Sequence, residues 1–260
     1  MSILIKPAYD TDSSTYFTTA GVTSVSGRQQ ISRFVTGIKD LGLWSGMLCW
    51  PLRSSQNAGT GTTAYSLGGL GTSNGTLANG PTWGVNGVVL DGVDDCITTS
   101  YIAANGPASF GFVSRTAITI TDNNIVYSMD DLTNRKMNLL YSAAASARIR
   151  FEANLSGTVA NRIDLNGTNT GNFICAQASH DGTNFYGQGN SSTIQSVAGA
   201  GTMQGTGAAL VFGRRSINAA GLHFNGTISF TYFFSSSIHS NFTNFYNLYK
   251  TTLGQGLGLP

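Results

Sequence analysis

The stretch GVVLDGVDDCI, residues 87–97, opens as an apolar strand and then turns abruptly polar, placing Asp91, Asp94 and Asp95 within five positions around Gly92. A strand that ends this way asks for a tight turn, because glycine permits the bend and short aspartate side chains accept nearby backbone N–H groups. The same three carboxylates could also hold a hard cation, which takes six to eight oxygen ligands. From these residues, Asp91 and Asp94 are read first as turn formers, with Asp94 and Asp95 as the metal candidates and calcium as the ion.

The rest of the chain has the texture of this stretch. Of 260 residues only 10% are charged and 41% are hydrophobic, so Ser, Thr, Asn and Gly must cover much of the surface. A net charge of +2, with no run of Lys or Arg, gives little attraction for phosphate backbones or anionic lipid, which excludes nucleic acid and membrane surface as natural partners. No apolar run approaches the roughly 18 residues of a membrane span, and MSILIKPAYD is too short for a signal peptide, so synthesis in a cytoplasm is expected. Glu152 is the only glutamate, a skew toward aspartate that suits a loop-rich β protein. Cys49, Cys96 and Cys175 are far apart and odd in number, and buried free thiols are expected, with one disulfide plus one thiol as the alternative.

Two helices are expected before residue 48. SSTYFTTAGV places Tyr16, Phe17 and Ala20 on one face, and Gly27 to Leu41 carries Ile31, Phe34, Val35 and Ile38 at helical spacing before Gly42. Trp44 and Trp50 are expected at the seam between this helical cap and the main domain. Eleven strands follow: Leu48–Leu52, Val85–Leu90, Cys96–Thr98, Ala108–Ser114, Asn124–Met129, Met137–Ser142, Arg148–Ala153, Phe173–Ser179, Asn184–Gly189, Ala209–Gly213 and Gly226–Phe234. Residues 57–84 should be a long surface excursion pinned by Leu67, Leu70 and Leu77. A short helix carrying Phe242, Phe245, Tyr246 and Tyr249 should close the domain, and GQGLGLP should be a loose tail or a docking strap. Many short strands without intervening helices predict a mainly β protein, an antiparallel two-sheet sandwich.

NGTLANGPTW leading into GVVLDGVDDCI resembles the concanavalin A-like (laminin-G-like) jelly-roll domains, in which such a segment runs into a strand ending in D-G-x-D-D. ICAQASHDGTNFYGQGN, LVFGRR, HFNGTISFTYFF and IHSNFTNFYNLYKTTLG are similar to later elements of that family in the same order. The likeness covers about Leu48 to Gly254 and implies a jelly roll at 48–254, a helical anchoring segment at 1–47 and a tail at 255–260. The leading YFTTAGVTSVSGRQQISRFVTGIKDLGLWSGM also looks like the helical segment before such jelly rolls in tailed-bacteriophage structural proteins. That implies a subunit of a virion, on capsid or tail, partnered by other virion proteins and by copies of itself.

Chemistry is sparse. Jelly-roll glycosidases resemble one another in carrying two carboxylates along one strand, a pattern missing here. Arg148, Arg150 and Glu152 share one strand face and read as cross-paired charges, so no catalytic residue and no enzyme activity are expected. His180, His223 and His239 form no zinc-type spacing, and His180, beside the Asp181-Gly182 turn, is expected to be exposed. Since sugars are held by aromatic platforms and amide or carboxylate groups, Tyr65, Trp83, Tyr101, Tyr186 and Asn190 are the glycan-binding candidates. Two functions stay open: a virion structural or adhesion subunit, and a lectin-like module reading host surface polysaccharide, with calcium assisting.

Overall fold

The computed structural model describes residues 9–117, 124–130, 137–142, 148–155, 161–165, 171–203, 207–216 and 222–260. Two helices come first, α1 (Thr11–Thr19) and α2 (Val25–Asp40). Asp10 caps α1 by accepting the Asp12 and Ser13 N–H groups at 3.0 and 3.3 Å, which starts the helix earlier than its apolar face alone suggests. Ser24 caps α2 through the Gly27 N–H at 3.2 Å, and Ile31, Phe34, Val35 and Ile38 form the expected buried stripe.

Among the described residues sixteen strands follow. The first six are β1 (Met47–Pro51), β2 (Thr63–Ala64), β3 (Gly75–Ala78), β4 (Thr82–Gly84), β5 (Gly87–Asp91) and β6 (Cys96–Thr98). Next come β7 (Ala108–Thr116), β8 (Asn124–Met129), β9 (Met137–Ser142), β10 (Arg148–Ala153) and β11 (Asn161–Leu165). The last are β12 (Ile174–His180), β13 (Asn184–Gly189), β14 (Gln195–Ala198), β15 (Val211–Phe212) and β16 (Asn225–Phe234), before the closing helix α3 (Phe242–Thr251).

They build two eight-stranded antiparallel sheets. One runs β14-β13-β12-β7-β16-β5-β4, with β1 also paired to β16, and the other runs β11-β10-β9-β8-β15-β6-β3-β2. This is the mainly β, two-sheet jelly-roll sandwich with short flanking helices that the sequence predicts. Between the sheets lies a core of Phe110, Phe112, Tyr127, Phe151, Phe185 and Phe212 among others. The expected excursion at 57–84 contains β2, β3 and β4, pinned by buried Leu67 and Leu77 and by Leu70 packed on this core.

Strands β1, β7 and β12 of the first sheet are buried along nearly their whole length, without alternation. Alternation disappears where both faces are covered, and here the outer face carries a second apolar cluster formed with α1, α2 and α3. The molecule is therefore three-layered: sheet, sheet, helices. Residues from each of the segments 1–47, 48–254 and 255–260 contribute to this outer cluster.

Several expectations are corrected. Trp50 does not lie at the helical seam: it is fully buried between the sheets, 5.0 Å from Phe212, with its indole N–H donated to the Ser73 carbonyl. Trp44 does lie at the seam, half-buried against the outer cluster. The tail is a strap, with Leu257 and Leu259 buried and the Tyr246 hydroxyl donated to the Pro260 carbonyl. His180 is fully buried, with Nε2 2.8 Å from the Gly199 carbonyl and its ring against Phe185. The three cysteines are free and buried, as one of the two readings has it.

Candidate functional site

The opening aspartates do converge. One carboxylate oxygen from each of Asp91, Asp94 and Asp95 lies within 4.8 Å of the others. Asp91 Oδ1 accepts the Val93 N–H at 2.8 Å and the Asp94 N–H at 3.4 Å, and Asp95 Oδ2 reaches back to the Asp91 N–H at 3.0 Å. Gly92 makes this closure possible: its φ is +80°, and a Cβ there would stand 2.6 Å from that of Asn225. Asp94, read as a turn former, contributes instead through its carbonyl, which accepts the Asn79 amide at 2.9 Å.

The environments of the three differ. The Val93 N–H, chief among several backbone donors, holds the Asp91 carboxyl below its ordinary value. Burial pushes the Asp95 carboxyl up, and the charges of Asp91 and Asp94 add to the effect. Like-charged carboxylates with oxygens to spare suit a hard cation, and Asp91, Asp94 and Asp95 together could supply three of calcium's ligands.

The five glycan candidates are not gathered into one place. Tyr186 lies on β13 and Trp83 on β4, with β12, β7, β16 and β5 between them in the same sheet, which at about 4.8 Å per strand separates them by roughly 24 Å. The Tyr186 ring stacks on His239 with centroids 3.7 Å apart, and its hydroxyl donates to Asp181 Oδ2 at 2.9 Å. Asn190 holds a turn, taking the Cys175 N–H on Oδ1 at 2.9 Å from a backbone at φ 51°. Tyr101 packs on Phe233, and burial pushes its hydroxyl up to about 12.

Tyr65, alone of the five, lines one feature. A groove runs between α1 and the 57–74 segment as two cavities of about 220 and 410 Å³ that share Thr19. Asp12, Thr15, Trp44, Ser66 and Asn74 line the first, and Thr18, Thr60, Thr62 and Tyr65 line the second. Tyr16 forms part of the wall, its hydroxyl donated to the Gln56 carbonyl at 3.0 Å. Burial drives that phenol well above its ordinary value, so it stays neutral.

The far bank is held from below. Asn57 is buried and fully engaged: its amide N–H groups go to the Pro51 and Tyr65 carbonyls, and its Oδ1 takes the Ala58 and Tyr65 N–H groups. Trp83 donates its indole N–H to the Gly61 carbonyl at 2.9 Å. Gly68 lets the next turn lie directly on β1, since a Cβ there would meet the Met47 carbonyl at 2.1 Å. Asn74 Oδ1 takes the Ser66 N–H at 3.0 Å.

Sequence reasoning missed the near bank. Its signal was the threonine spacing at 11, 15, 18 and 19, which puts hydroxyls on the face of α1 opposite Tyr16, Phe17 and Ala20. Among the described residues a cation, Lys39, stands beside the first cavity: its Nζ lies 2.7 Å from Asp10 Oδ2, 2.6 Å from Asp12 Oδ2 and 5.2 Å from the Trp44 ring centroid. The hydrogen bonds it donates to Asp10 and Asp12 raise its pKa.

Elsewhere two arginines pair with carboxylates. Arg150 meets Asp164 at 2.7 Å and Glu152 at 3.9 Å, and Arg215 meets the fully buried Asp130 at 2.5 Å. The side chain of Arg148 falls outside the described residues.

No family model matches the chain, and no curated protein matches it. Solved structures do. The binding domain of botulinum neurotoxin serotype D is similar at a TM-score of 0.54 and 11% identity, over 80% of this chain and 52% of that one. A mutant Trypanosoma rangeli sialidase displaying trans-sialidase activity is similar at 0.59 and 11%, over 87% and 40%. A mutant of HCR/D is similar at 0.56 and 11%, over 79% and 53%. This chain thus spans about half the length of these proteins, or less. The likeness establishes the class of fold: a two-sheet jelly-roll β-sandwich.

Proposed function

We propose that this protein is a non-enzymatic, lectin-like module that binds surface glycan through the groove between α1 and the 57–74 segment. The observation that carries the reading is the lining of that groove: clustered hydroxyls and an amide beside the aromatic side chains Trp44 and Tyr65. Sugars present apolar ring faces edged with hydroxyls, and such a lining complements both. The second cavity, at about 410 Å³, has the size of a ligand site, and the first, at about 220 Å³, adds room for part of a ligand beside it. Among the described residues, Asp12 is the only carboxylate lining these cavities, which gives paired-carboxylate hydrolysis no foothold there.

Calcium enters this reading at the rim turn and not in the groove. Bound by Asp91, Asp94 and Asp95, it would offset the mutual repulsion of the three carboxylates and stiffen the β5–β6 connection. A chelator should then lower the melting temperature while leaving glycan affinity unchanged. The setting, a capsid or tail subunit of a phage particle among other virion proteins and sister copies, rests on the sequence resemblance alone.

The test is binding of the labelled protein to immobilised bacterial surface polysaccharides and to a defined oligosaccharide array, with calcium and with chelator. Saturable binding that Thr15→Trp abolishes without changing the melting temperature is the expected result. Absence of saturable binding by a folded sample would remove the reading.

A further inference from the structure

We infer that the groove accepts neutral oligosaccharides and rejects glycans that end in a carboxylate, such as sialic or uronic acids. This rests on the glycan-binding reading above and gives it a substrate class. The argument is electrostatic. Recognition of a sugar carboxylate normally uses a cation, above all the bidentate fork of arginine. In the described lining of the two cavities there is no Arg, Lys or His, and the one charged side chain is Asp12.

Lys39 does not supply the missing charge. Its ammonium is shared by Asp10 and Asp12 at 2.7 and 2.6 Å, so the trio carries a net charge of −1 at the Trp44 end of the groove. The nearby Arg28 lies over the Phe17 ring and gives its Nε–H to the Val22 carbonyl at 2.7 Å. A carboxylate entering beside Asp12 would lose water and meet a like charge with no partner, which costs binding free energy on both counts. A neutral ring meets none of this. Its hydroxyls find Thr15, Thr19, Asn74 and Asp12, which can accept a sugar hydroxyl on the oxygen not held by Lys39. Because Thr19 lines both cavities, a ligand reaching across it to fill both is an oligosaccharide and not a single sugar.

The experiment compares matched probes on the full-length protein: neutral hexose and N-acetylhexosamine oligosaccharides of two to six units, against the same cores capped with sialic acid or glucuronic acid. Affinity is read by titration calorimetry at moderate ionic strength. The expected result is at least tenfold weaker binding of the capped probes, loss of neutral binding in Thr15→Trp, and a narrowed or inverted preference in Asp12→Arg. Equal or tighter binding of the acidic probes, blocked by Thr15→Trp, would overturn the inference while leaving the groove as a glycan site. Neutral binding that survives Thr15→Trp would overturn the assignment to this groove. Failure of every probe to bind would overturn the inference together with the reading beneath it.

Discussion

The two faces of the β7–β12–β16 sheet are both apolar and built differently. The inner face meets the second sheet, strand upon strand, and Phe110 stacks on Tyr127 with ring centroids 5.0 Å apart while standing edge-on to Phe151. The outer face meets helices and a strap drawn from both ends of the chain: Phe230 is touched by Phe34 of α2 and by Phe245 and Tyr249 of α3. The contrast shows why the helices cannot be a detachable handle. Taking them away would expose Phe230, Tyr232 and Phe234 in a row along one strand, an apolar surface of the kind that drives association.

The sharpest way to break the comparison is to hollow out each face in turn. Trp50→Ala on the inner side should cost about 3–5 kcal/mol in denaturant unfolding, the usual range for deleting a buried large aromatic. Phe34→Ala on the outer side should fall in the lower half of that same range, because a helix relaxes into a cavity more readily than two hydrogen-bonded sheets. Both should preserve one cooperative transition. A separate early transition in Phe34→Ala, with the sandwich melting unchanged, would show that the helical layer folds independently.

A smaller effect is expected where α1 meets α2. Burial opposes ionisation of Asp10, but the Lys39 hydrogen bond and the Ser13 and Asp12 N–H groups outweigh it, and the carboxyl sits below its ordinary 3.8. The stabilisation is present above that unfolded value and is lost as pH falls through the lower folded one. Lys39→Met should therefore cost at most about 1 kcal/mol at neutral pH, as exposed pairs do. It should also flatten the acid limb of the stability profile.

The smallest effect has the opposite sign. The raised pKa of Asp95 favours the folded state in acid, a contribution lost as pH rises through the folded value. At neutral pH and without calcium, Asp95→Asn should be neutral or slightly stabilising, since an amide oxygen can still take the Asp91 N–H. A marked loss of stability in calcium-free buffer would mean that the carboxylate charge itself holds the turn.

Much of the sandwich was legible. Strands β8, β9, β10 and β13 have the boundaries that alternation and turn residues predict, and the helix face Ile31, Phe34, Val35 and Ile38 is the one buried. The strands missed were β2, β3, β4, β11 and β14, and four of these are the sheet edges. An edge strand is short and half-solvated, so its sequence need not alternate. The candidate site was less legible. Tyr65 was singled out and lines the groove, and Trp83 stands behind its Gly61 wall, but Trp44 was read only as packing, and the threonine spacing of α1 marks a polar helix face without saying that a second wall stands opposite it.

What the sequence by itself determined is what local physics can settle: capped helices, alternating strands, glycine at the DGVDD bend, a surface of hydroxyls and amides with little charge. The tertiary structure alone decided which wall faces which. Trp44 and Trp50 are six positions apart and chemically identical, yet one lies beside a groove and the other between sheets. Their fates depend on partners far along the chain, Phe212 for Trp50 and Gly69 for Trp44. Contacts at such separation are fixed by how strands pair and layers stack, and no local pattern records that.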